Sequence, residues 1–431
     1  MPSEDIARSL IAAVDAGFEE QLGLTERLVN IPSTRGNEAP AQDLVEDEMR
    51  RLGLETDRFR LDAAELAKHP GFSPVVDADY ADAWTVVGSH RPARGEGRSL
   101  ILNGHVDVVP AGPATMWASP PFSARREGDW MYGRGAGDMK AGVAANLAVL
   151  SAFRRAGLEP AAEVIVQSVI EEECTGNGML SCLARGYRAD AVVITEPMGE
   201  RLQRAQVGVL WFRVDVRGVP THVSRAGEGA NAIDAAYELI AALRGVERDW
   251  NARKDDYPPY ERIDHPINMN IGRIEGGDWV SSVPAWCRFE VRIALFPGQP
   301  LGEAKAGIEA ALDRACNSHP FLAGNRPTIT WHGFEAEGYV LPEGGEAEKV
   351  LAAAHERIAG TPLEDVIARA TTDARFYGLY GNAPVLVYGP LAERIHGFDE
   401  RVNIPSLRRM TQTLALFVAD WCGIREAALT K

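Results

Sequence analysis

The chain runs to 431 residues, 45% hydrophobic and 25% charged, which suits an ordinary globular protein and excludes fibrous and disordered classes. Its formal net charge of −16 argues against nucleic acid or an anionic membrane as a main partner. No run approaches the roughly 18 apolar residues of a membrane span, and five cysteines without a CxxC pair point to reduced thiols and no cysteine metal site.

The first run, EDIARSLIAAVDAGFEEQLGLTERLV (4–29), has helical periodicity, and it carries acidic residues where an export signal is basic, so a cytoplasmic protein is expected. APAQDLVEDEMRRLG is a second helix. Residues 62–82, with Pro70 and Pro74, read as a surface insertion. AWTVVGSH, SLILNGHVDVV, AEVIVQSVI and DAVVITEP are short β-rich runs, and KAGVAANLAVLSAFRRAG is a helix closed by Gly157. Such alternation predicts a mostly parallel α/β sheet with helices on both faces.

From about residue 207 the rhythm changes. VLWFRVDVRG, NAIDAAYELIAALRGV, NMNIGRIEGG, WCRFEVRIALF, GEAKAGIEAALDRAC and TITWHG follow the order βαββαβ of a ferredoxin-like unit. Residues 207–334 are therefore expected to form an inserted domain, with 1–206 and 335–431 as the two parts of the first. After the insertion come the helix GEAEKVLAAAHERIAG, the strand APVLVYGP, and a last helix whose Pro405 suits its first turn.

Ligands of open α/β sheets bind beyond the carboxyl ends of the strands. His105 and Asp107 follow LILNG, Glu171, Glu172 and Glu173 follow VIVQSVI, Glu196 follows AVVIT, and His396 lies after PVLVYGP. Asp138 opens a helix after the turn GRGAGD. Singly each has an ordinary explanation: a satisfied histidine, a helix cap, a solvated acidic turn. Together they would gather several carboxylates in one place, and a bound cation removes the cost of doing so. Imidazole and carboxylate ligands without thiolates suit Zn²⁺, Mn²⁺ or Co²⁺, and the number of candidates suggests two ions sharing a bridging carboxylate, with a single ion as the lesser reading. Alternation along a strand puts His105 and Asp107 on one face, so Asp107 would hold the second ring nitrogen of His105. One glutamate is left as a general base for water, and Glu172 and Glu173 could divide the two tasks. GRGAGD is not GxGxxG, GDMKAG is not a P-loop, and neither GxSxG nor HExxH occurs.

With these motifs in view, the chain resembles the two-metal amidohydrolases that include acetylornithine deacetylase, succinyl-diaminopimelate desuccinylase, aminoacylase-1 and carboxypeptidase G. GHVDVVP, GRGAGDMKAG, EEECTGNG, TEP and HGFDE carry the resemblance, which spans nearly the whole chain. It implies His105, Asp138, Glu173, Glu196 and His396 as metal ligands, with Asp138 bridging and followed by a cis peptide. It also implies Asp107 as the partner of His105 and Glu172 as general base, with Glu171 in that role if the alignment slips by one. GVPTHVSRAGEGANAI matches a segment whose histidine, here His222, reaches a partner subunit's site to stabilise the oxyanion, which implies a homodimer through residues 207–334. Arg292 and Arg375 match positions that bind a substrate carboxylate, and Asn231 and Ser281 complete the substrate-contacting set, Ser281 standing where the family usually has Asn. The activity implied is hydrolysis of an amide C–N bond in an N-acyl amino acid or related carboxylated amide. A divergent member acting on a carbamoyl compound, a dipeptide or an aromatic amine is the second reading, and a non-catalytic binding protein a remote third.

Overall fold

Every residue of LILNGH, Leu100–His105, is buried, so this strand needs cover on both faces. The structure, a computed structural model, describes residues 2–93 and 95–427. The strands that position the site are β1 Glu55–Arg60, β2 Trp84–His90, β3 Leu100–His105, β4 Val164–Val169, β5 Ala191–Ile194, β6 Gly208–Arg217, β7 Met269–Gly276, β8 Trp286–Leu295, β9 Thr328–Ala336 and β10 Val385–Val387. Six of them form one sheet in the order β1-β2-β4-β3-β5-β10. β3 runs parallel to β4 and β5, and β5 parallel to β10, while β1 and β2 are antiparallel at one edge.

The longer helices are α1 Glu4–Val29, α2 Ala39–Arg51, α3 Ala141–Arg155, α4 Asn177–Ala184, α5 Ala232–Asn251, α6 Leu301–Ser318, α7 Glu346–Ala359 and α8 Ile404–Cys422. α1, α3 and α8 pack on one another, α3 and α8 lie on β3, α2 lies on β2 and α4 on β4. Their ends follow local chemistry. The Ser3 hydroxyl caps α1, ahead of Glu4 and Asp5 in the first turn. Gly360, at φ 73°, closes α7 in the left-handed conformation that glycine adopts without strain. The Asn403 side chain accepts from Ser406 N–H at the start of α8, next to Pro405.

The second sheet has the order β7-β8-β6-β9, antiparallel throughout. Its elements follow one another as β6-α5-β7-β8-α6-β9, the expected βαββαβ order, around a separate core running from Ala205 to Ala336. β6 alternates buried residues with the half-buried Trp211, Arg213 and Asp215, so one face packs on helices and the other stays open. No helix among the described residues is long and apolar enough to cross a membrane.

Three details differ from the sequence reading. β3 stops at His105, and Val108 makes only an isolated bridge with Thr34, because the chain turns there to place the Asp107 carboxylate against the N–H groups of Glu172 and Glu173. β1, ETDRFR, lacks an apolar face because it is a half-exposed edge strand. Residues 62–82 are more than a surface insertion: Leu66 and Ser73 are buried, and the segment forms a strap between the two sheets.

Candidate metal centre

β3 delivers His105 to the carboxyl end of the large sheet. A side chain on Gly104 would put its Cβ 2.9 Å from Val143 Cγ2 and 3.0 Å from Met139 Cε, so α3 can lie this close only against glycine. His105 Nδ1 is 2.9 Å from the Asp107 backbone carbonyl and 3.4 Å from Asp107 Oδ1. A carbonyl only accepts, so Nδ1 carries a proton there, and Nε2 is the ring nitrogen turned toward the cluster. The shorter contact that orients the ring is thus the Asp107 carbonyl rather than its carboxylate. That carboxylate instead accepts from the N–H groups of Glu172, at 3.4 Å, and Glu173, at 3.1 Å, tying the end of β3 to the loop after β4.

Asp138 comes from the turn GRGAGD, where Gly135 adopts φ 79°, and the Asp138–Met139 peptide is cis as expected. Glu400 fixes this turn. One of its oxygens accepts from Gly137 N–H at 3.0 Å and Asp138 N–H at 3.1 Å, and the other from Arg134 at 2.6 Å. Asp138 then offers one oxygen to each of two histidines. Oδ1 lies 3.3 Å from His105 Nε2, and Oδ2 lies 3.4 Å from His396 Nε2. Glu196 Oε1 sits 3.5 Å from His105 Nε2, and Glu173 Oε2 sits 3.0 Å from His396 Nε2. Glu172 Oε2 is farther from His105, at 3.9 Å. His105, Asp138 and Glu173 offer ligand atoms all within 4.8 Å of one another, and so do His105, Glu172 and Glu196.

The electrostatics fit a cationic guest. Burial pushes Glu172 well above the ordinary carboxylate range, and the Glu196, Asp373 and Glu173 charges push it further. Burial and the Asp138 charge raise Glu196 to about 7, and burial likewise raises Glu173. Burial alone would lower His396, but Asp138 and Glu173 outweigh it and lift the imidazole to about 11. Against its own burial, Asp138 is held low by His105 and His396. The protein has built a carboxylate cluster it can neutralise only by taking up protons, which is the work a divalent cation would do. Two imidazoles and carboxylate oxygens are the donor set of Zn²⁺-, Mn²⁺- or Co²⁺-type sites, and the two-sided exposure of Asp138 is the geometry of a bridging ligand.

Glu171 faces away from this cluster. Its carboxylate is held by Arg35, Tyr80 and Thr175. Sequence reasoning also missed Glu400 and the buried Asp373. Glu400 ends HGFDE, a motif noted for its histidine alone, and Asp373 stands two residues before Arg375.

The substrate-contacting candidates are scattered. Arg375 is 1% exposed, and its guanidinium donates to the Thr175 carbonyl at 2.9 Å and the Gly71 carbonyl at 3.3 Å. Two of its donors thus already serve backbone. Asn231 caps α5, its side-chain oxygen accepting from Ile233 and Asp234 N–H. Ser281 is exposed, and its carbonyl accepts from Val223 N–H. His222 is exposed on the second sheet's domain, bridged to Ser282, and its ring bonds Ser224 rather than any residue of the cluster. Arg292 is half-buried beside Trp211 on the open sheet face, and among the described residues it has no hydrogen-bond or ion-pair partner.

The pattern of Peptidase family M20/M25/M40 matches residues 101–420. An N-formyl-4-amino-5-aminomethyl-2-methylpyrimidine deformylase of Halalkalibacterium halodurans is 28% identical, over 98% of this chain and 99% of its own length. A succinyl-diaminopimelate desuccinylase of Hydrogenovibrio crunogenus is 25% identical over 92% of this chain and 97% of its own. In fold, the di-peptidase Dug1p of Saccharomyces cerevisiae superposes with a TM-score of 0.79 at 15% identity, covering 96% of this chain and 98% of its own.

Proposed function

The chain belongs to Peptidase family M20/M25/M40, and from that premise we propose that Glu172 is the general base of a two-cation site formed by His105, Asp138, Glu173, Glu196 and His396. With its desuccinylase and deformylase relatives, the chain is a metal-dependent hydrolase of amide C–N bonds. The observation that carries the reading is Asp138, whose two oxygens face His105 and His396 separately while Glu172 stands outside both contacts. When bound, two divalent cations, zinc by preference, polarise the amide carbonyl and lower the pKa of water.

The chain's own groups do the rest. Glu172 takes a proton from the attacking water at its carboxylate and returns it to the nitrogen of the departing amine. Asp107 holds the Glu172 and Glu173 backbone in place, and its carbonyl keeps the His105 ring in one tautomer. The protein acts as a homodimer through residues 207–334, with His222 of a second copy steadying the oxyanion. Arg292, half-buried and with no side-chain partner among the described residues, receives an anionic group of the substrate. Asn231 and Ser281 flank His222 on the same domain and line the approach. Five free cysteines suit a cytoplasmic setting.

The preferred substrate is an N-acyl amino acid or related carboxylated amide. A second reading, a small N-formyl amine on a flat heteroaromatic ring, is supported by the deformylase relative, which aligns almost end to end. A substrate panel with both classes, read by mass spectrometry, separates the two. For the base, Glu172→Gln should keep its metal and lose roughly 10²–10⁴-fold in kcat, the usual worth of a general base. Loss of this size in Glu171→Gln with Glu172→Gln active would move the base by one residue.

A further inference from the structure

We propose that Arg35 and Tyr80 are positioning residues for the hydrolytic step: together they clamp Glu171 and so set where the adjacent Glu172 stands. The inference rests on the reading of Glu172 as base. Glu171 has φ 67°, a left-handed conformation that a glutamate adopts only where its surroundings over-determine it. Those surroundings are explicit. Arg35 Nε donates to Glu171 Oε1 at 2.5 Å, and Arg35 Nη2 donates to Oε2 at 2.8 Å, a bidentate pair. The Tyr80 hydroxyl donates to Oε2 at 2.8 Å, and so does the Thr175 hydroxyl. Asn177 donates to the Tyr80 oxygen at 2.9 Å and keeps the phenol turned this way.

From the other side, the Asp107 carboxylate receives the N–H groups of Glu172 and Glu173. The three glutamates therefore hang between two anchors, and neither anchor uses a cluster ligand's side chain. Arg35 has a second effect. It pairs the charge of the Glu171 carboxylate, whose repulsion would otherwise press on Glu172 and Glu173.

The strap connects this clamp to the second sheet. The Pro74 carbonyl accepts from Gly333 N–H of β9 at 2.9 Å, the Ser73 hydroxyl accepts from Glu335 N–H at 3.2 Å, and Asp77 pairs with Arg213 at 3.3 Å. Ser73 also exchanges two hydrogen bonds with the Asn177 side chain. The strap thus touches the open-faced domain through Ser73, Pro74 and Asp77 and the base loop through Tyr80.

The test measures kcat, KM, bound metal and Tm for Tyr80→Phe, Arg35→Lys, Arg35→Ala and Glu172→Gln on one N-acyl substrate. Tyr80→Phe is expected to lower kcat about 3- to 10-fold and Arg35→Ala about 100-fold, the scale of a small misplacement of a reacting group. KM and metal content should stay near wild type, Arg35→Lys should recover part of the loss, and dilute guanidinium should restore part of the Arg35→Ala rate without raising Tm. The proposal is overturned if folded, metal-loaded Tyr80→Phe and Arg35→Ala keep kcat within about 2-fold of wild type, or if their losses follow metal content or Tm alone. Should Arg35→Ala not fold, Tyr80→Phe decides, because it removes one hydroxyl from the chain of bonds. Glu172→Gln separates the two ideas. If it keeps its rate, the base assignment fails; if it is inactive while the clamp variants are not, the clamp alone fails.

Discussion

Glu172 must ionise to act as a base, yet it is buried beside carboxylates that oppose its charge. The same opposition reaches Glu38, outside the cluster, where burial and the Asp107 charge raise the carboxyl to about 8 and one oxygen has no hydrogen-bond partner among the described residues. The sign follows from linkage: the folded state holds this proton above 4.5, where the unfolded state has released it. Stability from Glu38 is therefore full below about 4.5, falls as pH rises, and is lost by the time pH passes about 8. Glu38→Gln should flatten that fall. Thermal melts from pH 5 to pH 9 should show its Tm gaining on wild type as pH rises; a constant difference across the range would show that Glu38 ionises normally.

Elements fix the ligands through close backbone approach. β5 hands Thr195 and Glu196 to the site, and two glycines from other parts of the chain press against them. A Cβ on Gly142 would come 2.4 Å from the Thr195 carbonyl oxygen, and one on Gly389 would come 2.0 Å from that of Glu196. Gly389→Ala must push β5's end away, at a cost of about 1–3 kcal/mol for overpacking. It should also weaken divalent-cation affinity, measured by titrating the chelator-treated protein. Unchanged affinity together with a lowered Tm would mean that Glu196 does not need this position. The elements also explain what sequence could disclose. His105, Glu173 and Glu196 follow apolar strands and Asp138 follows a glycine turn, so pattern and position together single them out. Arg35 and Tyr80 meet Glu171 across 136 and 91 residues, and Glu400 meets Asp138 across 262. No local spacing announces such contacts. β1 escaped notice for a related reason, since an edge strand of charged residues has no apolar period to read.

Across the whole molecule, the βαββαβ order placed the second sheet correctly, while the single chain keeps His222 and Arg292 apart from the cluster's own contacts. If His222 serves a neighbouring copy, His222→Ala and Glu172→Gln should each be nearly inactive, yet mixing them should restore about a quarter of the wild-type rate, because half the dimers would hold one intact site. Additive, unrestored rates would place His222 in its own chain's chemistry or in none. The two-cation site itself is tested most directly by metal analysis of the wild-type protein and Asp138→Ala, run beside their rates on one N-acyl substrate. Wild type should hold about two divalent ions per chain, and the variant should lose metal and turnover together; an Asp138→Ala protein that kept both ions and full turnover would contradict it.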